Sequence, residues 1–180
     1  METYRLIPHP ETPAKAITTV SVEVIADPAD DISMTFLVTG SADLVVPDWV
    51  AAERRDGLWK TTCFELFLKP VDGESYFEFN FSPSTQWAAY RFERYRSGRS
   101  AFVQPLDPFL TRGEEISDRI LEVDLDLSGL PNVPMRIGLS AVIEERDGTK
   151  SYWALAHPPG KPDFHHPDCF TLELAAAGQA

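Results

Sequence analysis

Period-two alternation of apolar and polar residues runs through most of the chain, and no other feature restricts the fold as much. Val20, Val22 and Val24 alternate with Ser21 and Glu23, and Met34, Phe36 and Val38 follow the same rule. So do Phe64, Leu66 and Leu68, and Phe77, Phe79 and Phe81. Leu121, Val123, Leu125 and Leu127 are separated by acidic residues; Ile137, Leu139, Ala141 and Ile143 continue the pattern, and Leu172 and Leu174 close it. Successive side chains of a strand point to opposite faces, so these runs read as half-buried strands. About nine or ten of them are expected, separated by turn clusters such as Asp27-Pro28, Asp72-Gly73, Ser82-Pro83-Ser84 and Asp147-Gly148. Polar-out alternation on that many strands implies an all-β fold of two packed antiparallel sheets, a β-sandwich or jelly roll. Helical patterning is confined to a turn or two around Val46–Arg55, where Pro47 and Asp48 suit a helix start. Only the stretch from Leu174 to Ala180 reads as a frayed tail.

A chain of 180 residues, 43% hydrophobic and 24% charged, suits one folded domain spanning residues 1–180 and excludes disorder. Its net charge of -12 argues against nucleic acid, whose phosphates call for a basic surface. The longest apolar stretches are about five residues, against about 20 for a membrane helix, so no membrane partner is expected. The N-terminal residues show no basic segment followed by an apolar run and a cleavage site, which points to a cytoplasmic protein. Cys63 and Cys169 then read as two buried thiols, with their pairing left open because sequence does not reveal their separation.

The segment from Ser75 to Glu93 carries the most chemistry. If Ser82-Pro83-Ser84-Thr85 turns a hairpin with Phe81 opposite Gln86, then Asn80 faces Trp87, Glu78 faces Ala89 and Tyr76 faces Arg91. That register puts Phe77, Phe79, Phe81, Ala88, Tyr90 and Phe92 in the core. It collects Glu78, Asn80, Trp87 and Arg91 on the opposite face, joined by Glu65 if its strand is a neighbour. Carboxylates, an amide and an indole together suit a sugar, whose hydroxyls take hydrogen bonds while its apolar face lies on the ring. The plain alternative is a solvated outer face with Trp87 under a loop.

Two stretches add a resemblance. Leu58-Trp-Lys-Thr-Thr-Cys-Phe-Glu-Leu-Phe-Leu68 and Tyr76-Phe-Glu-Phe-Asn-Phe-Ser-Pro-Ser-Thr-Gln-Trp-Ala-Ala-Tyr90 resemble the DOMON-like domains related to family nine carbohydrate-binding modules. Tyr152-Trp-Ala-Leu-Ala-His157 and Gly160-Lys-Pro-Asp-Phe-His-His166 are similar to the C-terminal signature of a bacterial branch of that group. The resemblance spans roughly residues 15–175. It implies a β-sandwich whose relatives bind sugars or haem. In the sugar binders tryptophans grip the ring, a part open here to Trp87 with Trp59 or Trp153. Haem-binding relatives use axial Met or His, and neither Met34 nor Met135 stands in such a motif.

Other constellations keep alternatives open. Arg91, Arg94, Arg96 and Arg99 crowd within nine residues of an acidic chain. They suit an acidic or phosphorylated sugar, or they simply pair with surface carboxylates. His157, His165 and His166 lie near Asp163 and Asp168 in a proline-rich segment. These types can hold a divalent metal, or the prolines can fix a loop beside the sheet. Glu65 and Glu78 are also the residue types of a glycoside-processing enzyme, which needs two carboxyls about 5–5.5 Å or about 6.5–9.5 Å apart. The expectation is nevertheless a non-catalytic domain that binds a small saccharide without a cofactor. Its expected site residues are Glu65, Glu78, Asn80, Trp87 and Arg91, with Trp59, Arg96, Trp153 and His157 at the rim. Oligomeric state is left open.

Overall fold

The computed structural model describes residues 1–26, 31–103, 107–113 and 118–176. The Asp27-Pro28 turn and the last four residues of the expected tail lie outside them. The described chain is all-β. Its strands are β1 (Glu2–Pro8), β2 (Thr19–Ala26), β3 (Asp31–Thr39), β4 (Cys63–Pro70), β5 (Tyr76–Phe81) and β6 (Trp87–Phe92). They continue with β7 (Ser100–Ala101), β8 (Phe109–Arg112), β9 (Arg119–Asp126), β10 (Met135–Glu144), β11 (Lys150–Ala154) and β12 (Leu172–Leu174). That is more strands than alternation predicts, and β7, two residues long, is too short to show a period. The only helical elements among the described residues are three short 3-10 turns, at Ser41–Asp43, Leu58–Lys60 and Pro167–Cys169. No helix of the described residues is long and apolar enough to cross a membrane.

All the strand pairs are antiparallel, in the order β7-β6-β5-β4-β10-β11-β1-β2-β3-β9-β8, with β12 beside β10. The sheet curls at β1, whose residues Glu2–Leu6 pair with β2 while Ile7 and Pro8 pair with β11. The curl brings the apolar faces of the two halves together. Val20, Val22, Met34, Phe36 and Val123 pack from one side, and Phe64, Leu66, Phe79, Leu139 and Trp153 from the other. Phe36 and Phe64 stack across the interface with ring centres 4.5 Å apart. All of these except Trp153 are positions the alternation assigns to the core.

The helical expectation at Val46–Arg55 is corrected. This segment spends its backbone hydrogen bonds on the neighbouring hairpin instead of on itself. Val50 N–H donates to Ser84 O, Arg55 N–H donates to Trp87 O, and Arg54 bridges Trp87 in parallel.

The hairpin register is corrected too. The connection between β5 and β6 holds five residues, so Phe81 faces Trp87, Asn80 faces Ala88, Glu78 faces Tyr90 and Phe77 faces Arg91. Ser82 N–H donates to Gln86 O, and Thr85 turns the chain with φ 73°. A left-handed turn residue is usually Gly or Asn, so a Thr there leaves no mark in the sequence. One residue of slip moves all of β6 to its other face.

Candidate functional site

The sheet has a second apolar layer on its outside. The faces of β4, β5, β6, β10 and β11 turned away from the main core carry Phe67, Tyr76, Tyr90, Phe92, Val142 and Ala154. The chain after β11 folds back over them. Phe170 stacks on Phe67 at 5.6 Å, in space left by Gly138, where a Cβ would stand 2.5 Å from the Phe170 ring. Residues 158–170 thereby become a strap across the outer face, and a cavity of about 450 Å³ lies between strap and sheet.

Its floor is set by strand register. Ser140, Glu65 and Asn80 lie side by side on β10, β4 and β5, and Glu78 is diagonal to Glu65. Directly opposed positions share a face, and diagonal neighbours remain within reach of long side chains. Glu65 and Glu78 are 4% and 6% exposed, and both line the cavity. Glu65 Oε2 accepts from the Ser140 hydroxyl at 3.1 Å, and Glu78 Oε1 accepts from the Asn80 amide at 2.7 Å. Burial, then repulsion from Glu78, holds the Glu65 carboxyl above the usual range. Burial raises Glu78 as well, against the Asn80 hydrogen bond and the charges of Arg99 and Arg96. Buried carboxylates lose hydration, and protonation relieves that cost.

The strap contributes His165. Its Nδ1 lies 2.9 Å from the Tyr76 hydroxyl, and its Nε2 lies 3.8 Å from Glu78 Oε2. Burial pushes the imidazole down to about 4 and the Tyr76 phenol up to about 12, so both are neutral at pH 7. Tyr76 already accepts from the Arg96 backbone N–H at 3.1 Å. The Tyr76–His165 hydrogen bond takes its direction from the imidazole tautomer, and Nε2 is the ring nitrogen on the Glu78 side. The loop after β6 supplies the cationic wall. Arg96, at φ 50°, sends Nη2 2.6 Å from Asp163 Oδ1 on the strap, and Asp163 also accepts from Tyr95. Arg99 has no carboxylate within ion-pair distance among the described residues, and its guanidinium lies 5.0 Å from the centre of the Tyr90 ring. Trp59, Phe92, Tyr152 and Phe164 complete the apolar walls. Trp59 packs edge-on to Tyr90 at 6.3 Å.

Of the residues expected from sequence, Glu65, Glu78, Arg96 and Trp59 line this cavity, and Asn80 supports its floor. The structure separates the others from it. Trp87 is buried in the main core, and Arg91 is exposed on that same side of β6, opposite Phe77; both follow from the corrected register. Trp153 is also in the main core, where its Nε1–H donates to Ser151 Oγ. The cavity takes its neighbour Tyr152 instead, which faces Val142 on β10. His157 bonds through Nε2 to Ile7 O at 2.7 Å and packs against His9. Phe92, Arg99, Val142, Tyr152, Pro162, Phe164 and His165 are the cavity residues missing from the expected set. The arginine cluster and the Asp163-Phe-His165 segment were the available signals for three of them.

Cys63 and Cys169 are free and buried. Among the described residues no group of three or more His, Cys, Asp or Glu is placed to hold a metal ion.

No family model and no curated protein matches the chain. Solved structures do. One is a "putative carbohydrate-binding protein" from Bacteroides uniformis, with TM-score 0.66 and 16% identity, covering 94% of this chain and 84% of that one. Another is a family nine carbohydrate-binding module from Caldicellulosiruptor kristjanssonii in complex with glucose, with TM-score 0.51 and 12% identity, covering 94% and 81%. A module of the same family and organism in complex with cellotriose gives TM-score 0.51, 12% identity and coverage of 94% and 80%. At these identities the likeness is one of fold, and the fold of this chain is related to that of the family nine modules.

Proposed function

We propose that the chain is a single DOMON-like domain, spanning residues 1–180, that binds a saccharide in the cavity between strap and sheet without transforming it. The observation that carries this reading is the cavity's make-up: two buried carboxyl groups on a rigid sheet floor, ringed by aromatic side chains, in a volume of about 450 Å³. That volume falls within the range of small-molecule sites. A carboxyl pair holding one proton can both donate to and accept from vicinal hydroxyls, and Trp59 and Phe164 offer surfaces for the C–H face of a pyranose. The fold neighbours, a carbohydrate-binding protein by its printed description and modules complexed with glucose and cellotriose, support the same ligand class. An acidic group on the sugar would lie at Arg99, whose guanidinium is not already tied up by a carboxylate of the described residues.

Titration with neutral, basic, acidic and phosphorylated monosaccharides, followed by calorimetry, tests the reading. Binding by at least one class, weakened about tenfold or more in Glu78→Gln, is expected. A folded protein that binds none of them contradicts it. Loss of the preference for acidic over neutral sugars in Arg99→Gln checks the acidic part.

The shared floor of Glu65 and Glu78 also favours a second reading, a glycoside-processing enzyme. It predicts turnover of a chromogenic glycoside that disappears in Glu78→Gln.

A further inference from the structure

The floor of the cavity holds two buried acids and, among the described residues, no basic side chain. Neither carboxylate has a Lys or Arg nitrogen within 4.0 Å among the described residues, although both are almost fully buried. Each has one hydrogen-bonded oxygen, to Ser140 or to Asn80, and one oxygen with no hydrogen-bond donor among the described residues: Glu65 Oε1 and Glu78 Oε2. Glu78 Oε2 has His165 Nε2 at 3.8 Å, beyond hydrogen-bond distance, and that ring is neutral. Around the pair, Cys63 and Tyr76 are uncharged, Arg96 is engaged by Asp163, and Arg99 sits over Tyr90. Buried charges in proteins are paired, and an unpaired carboxylate beside a second one takes up a proton or a cation. The aromatic walls add a surface that favours a cation from the side.

We propose that the floor takes an ammonium group, so that the saccharide preferred by this cavity is an amino sugar with its nitrogen between Glu65 and Glu78. This rests on the saccharide reading above and names the class within it. The ammonium donates to the two oxygens that lack a donor and replaces the proton the pair otherwise carries, which leaves to solvent. An amide or hydroxyl at the same carbon cannot do this, since neither brings a charge.

The test compares glucosamine, glucose and N-acetylglucosamine, which share a ring and lack an acid, so Arg99 does not discriminate among them. Calorimetry at about pH 6, where a sugar amine is charged, is run in two buffers of different ionisation enthalpy. Glucosamine is expected to bind about tenfold or more tightly than the other two, with net proton release. In Glu65→Gln, a near-isosteric change, the preference for the amine falls toward parity. If that variant fails to fold, the wild-type pH series serves: the amine preference shrinks as acid protonates the pair. Glucose or N-acetylglucosamine binding as well as glucosamine, or glucosamine binding without proton release, overturns the inference and leaves the saccharide reading standing. No binding by any of the panels, the acidic and phosphorylated sugars included, overturns both.

Discussion

Glu65 and Glu78 are costly residues for the fold. A carboxyl whose folded-state pKa lies above its unfolded value of about 4.3 is stabilising, relative to its ionised form, only while protonated. Its contribution is full below that unfolded value and is lost as pH rises through the raised folded value. Both acids shift upward, burial being the first cause in each. Glu65→Gln is therefore expected to be more stable than the parent at pH 8 by on the order of 1 kcal/mol, with the gain vanishing toward pH 4. Urea midpoints at several pH values check this, and a gain that does not depend on pH would contradict it. His165 has the opposite sign. Its imidazole is pushed down to about 4, so the stability it contributes is present above about 6.5 and is lost as pH falls toward that lower value. Carboxyls kept in a cavity at a stability cost are what the proposed binding role calls for.

At the scale of elements, the site depends on which face each strand presents and on what covers it. Glu65 and Glu78 were legible together because β4 and β5 alternate cleanly, and Phe64, Leu66, Phe77 and Phe79 announce their buried sides. Trp87 and Trp153 were not. In β6 nearly every side chain is apolar or buried, so the alternation that would reveal a one-residue slip is missing. Ser151, Trp153 and Ala154 in β11 are likewise all buried, on both faces of the sheet. A second apolar layer outside the sheet erases the polar-out signal on which register reading depends. Gly138 is the point where that layer is anchored. Gly138→Ala places a Cβ against Phe170 and is expected to cost about 1–3 kcal/mol and to loosen the strap. Much of that cost should disappear in a Phe170→Leu background, a coupling measurable in a double-mutant cycle. Additive effects would show that the strap is held elsewhere.

For the whole molecule, the curled sheet separates the packing that holds the fold from the cavity that faces outward. The all-β class and the inner core followed from alternation over long strands. The cavity's roof did not follow from alternation: the prolines offered a loop beside the sheet, but the contacts that place His165 and Phe164 over the floor are tertiary. The separation has a consequence. Phe36→Ala, in the inner core far along the chain from the site strands, is expected to cost about 3–5 kcal/mol of stability. It should leave saccharide affinity of the folded protein within about twofold, because no atom of Phe36 lines the cavity.

The four tryptophans provide the most direct test of where ligand binds, since they occupy three different environments. Trp59 lines the cavity, Trp87 and Trp153 lie in the inner core, and Trp49 is exposed on the segment before β4. A saccharide titration followed through the four indole N–H signals by two-dimensional NMR should move that of Trp59 and leave the other three in place. Movement of Trp87, Trp153 or Trp49 with Trp59 unchanged would place binding elsewhere and contradict the site described for this fold.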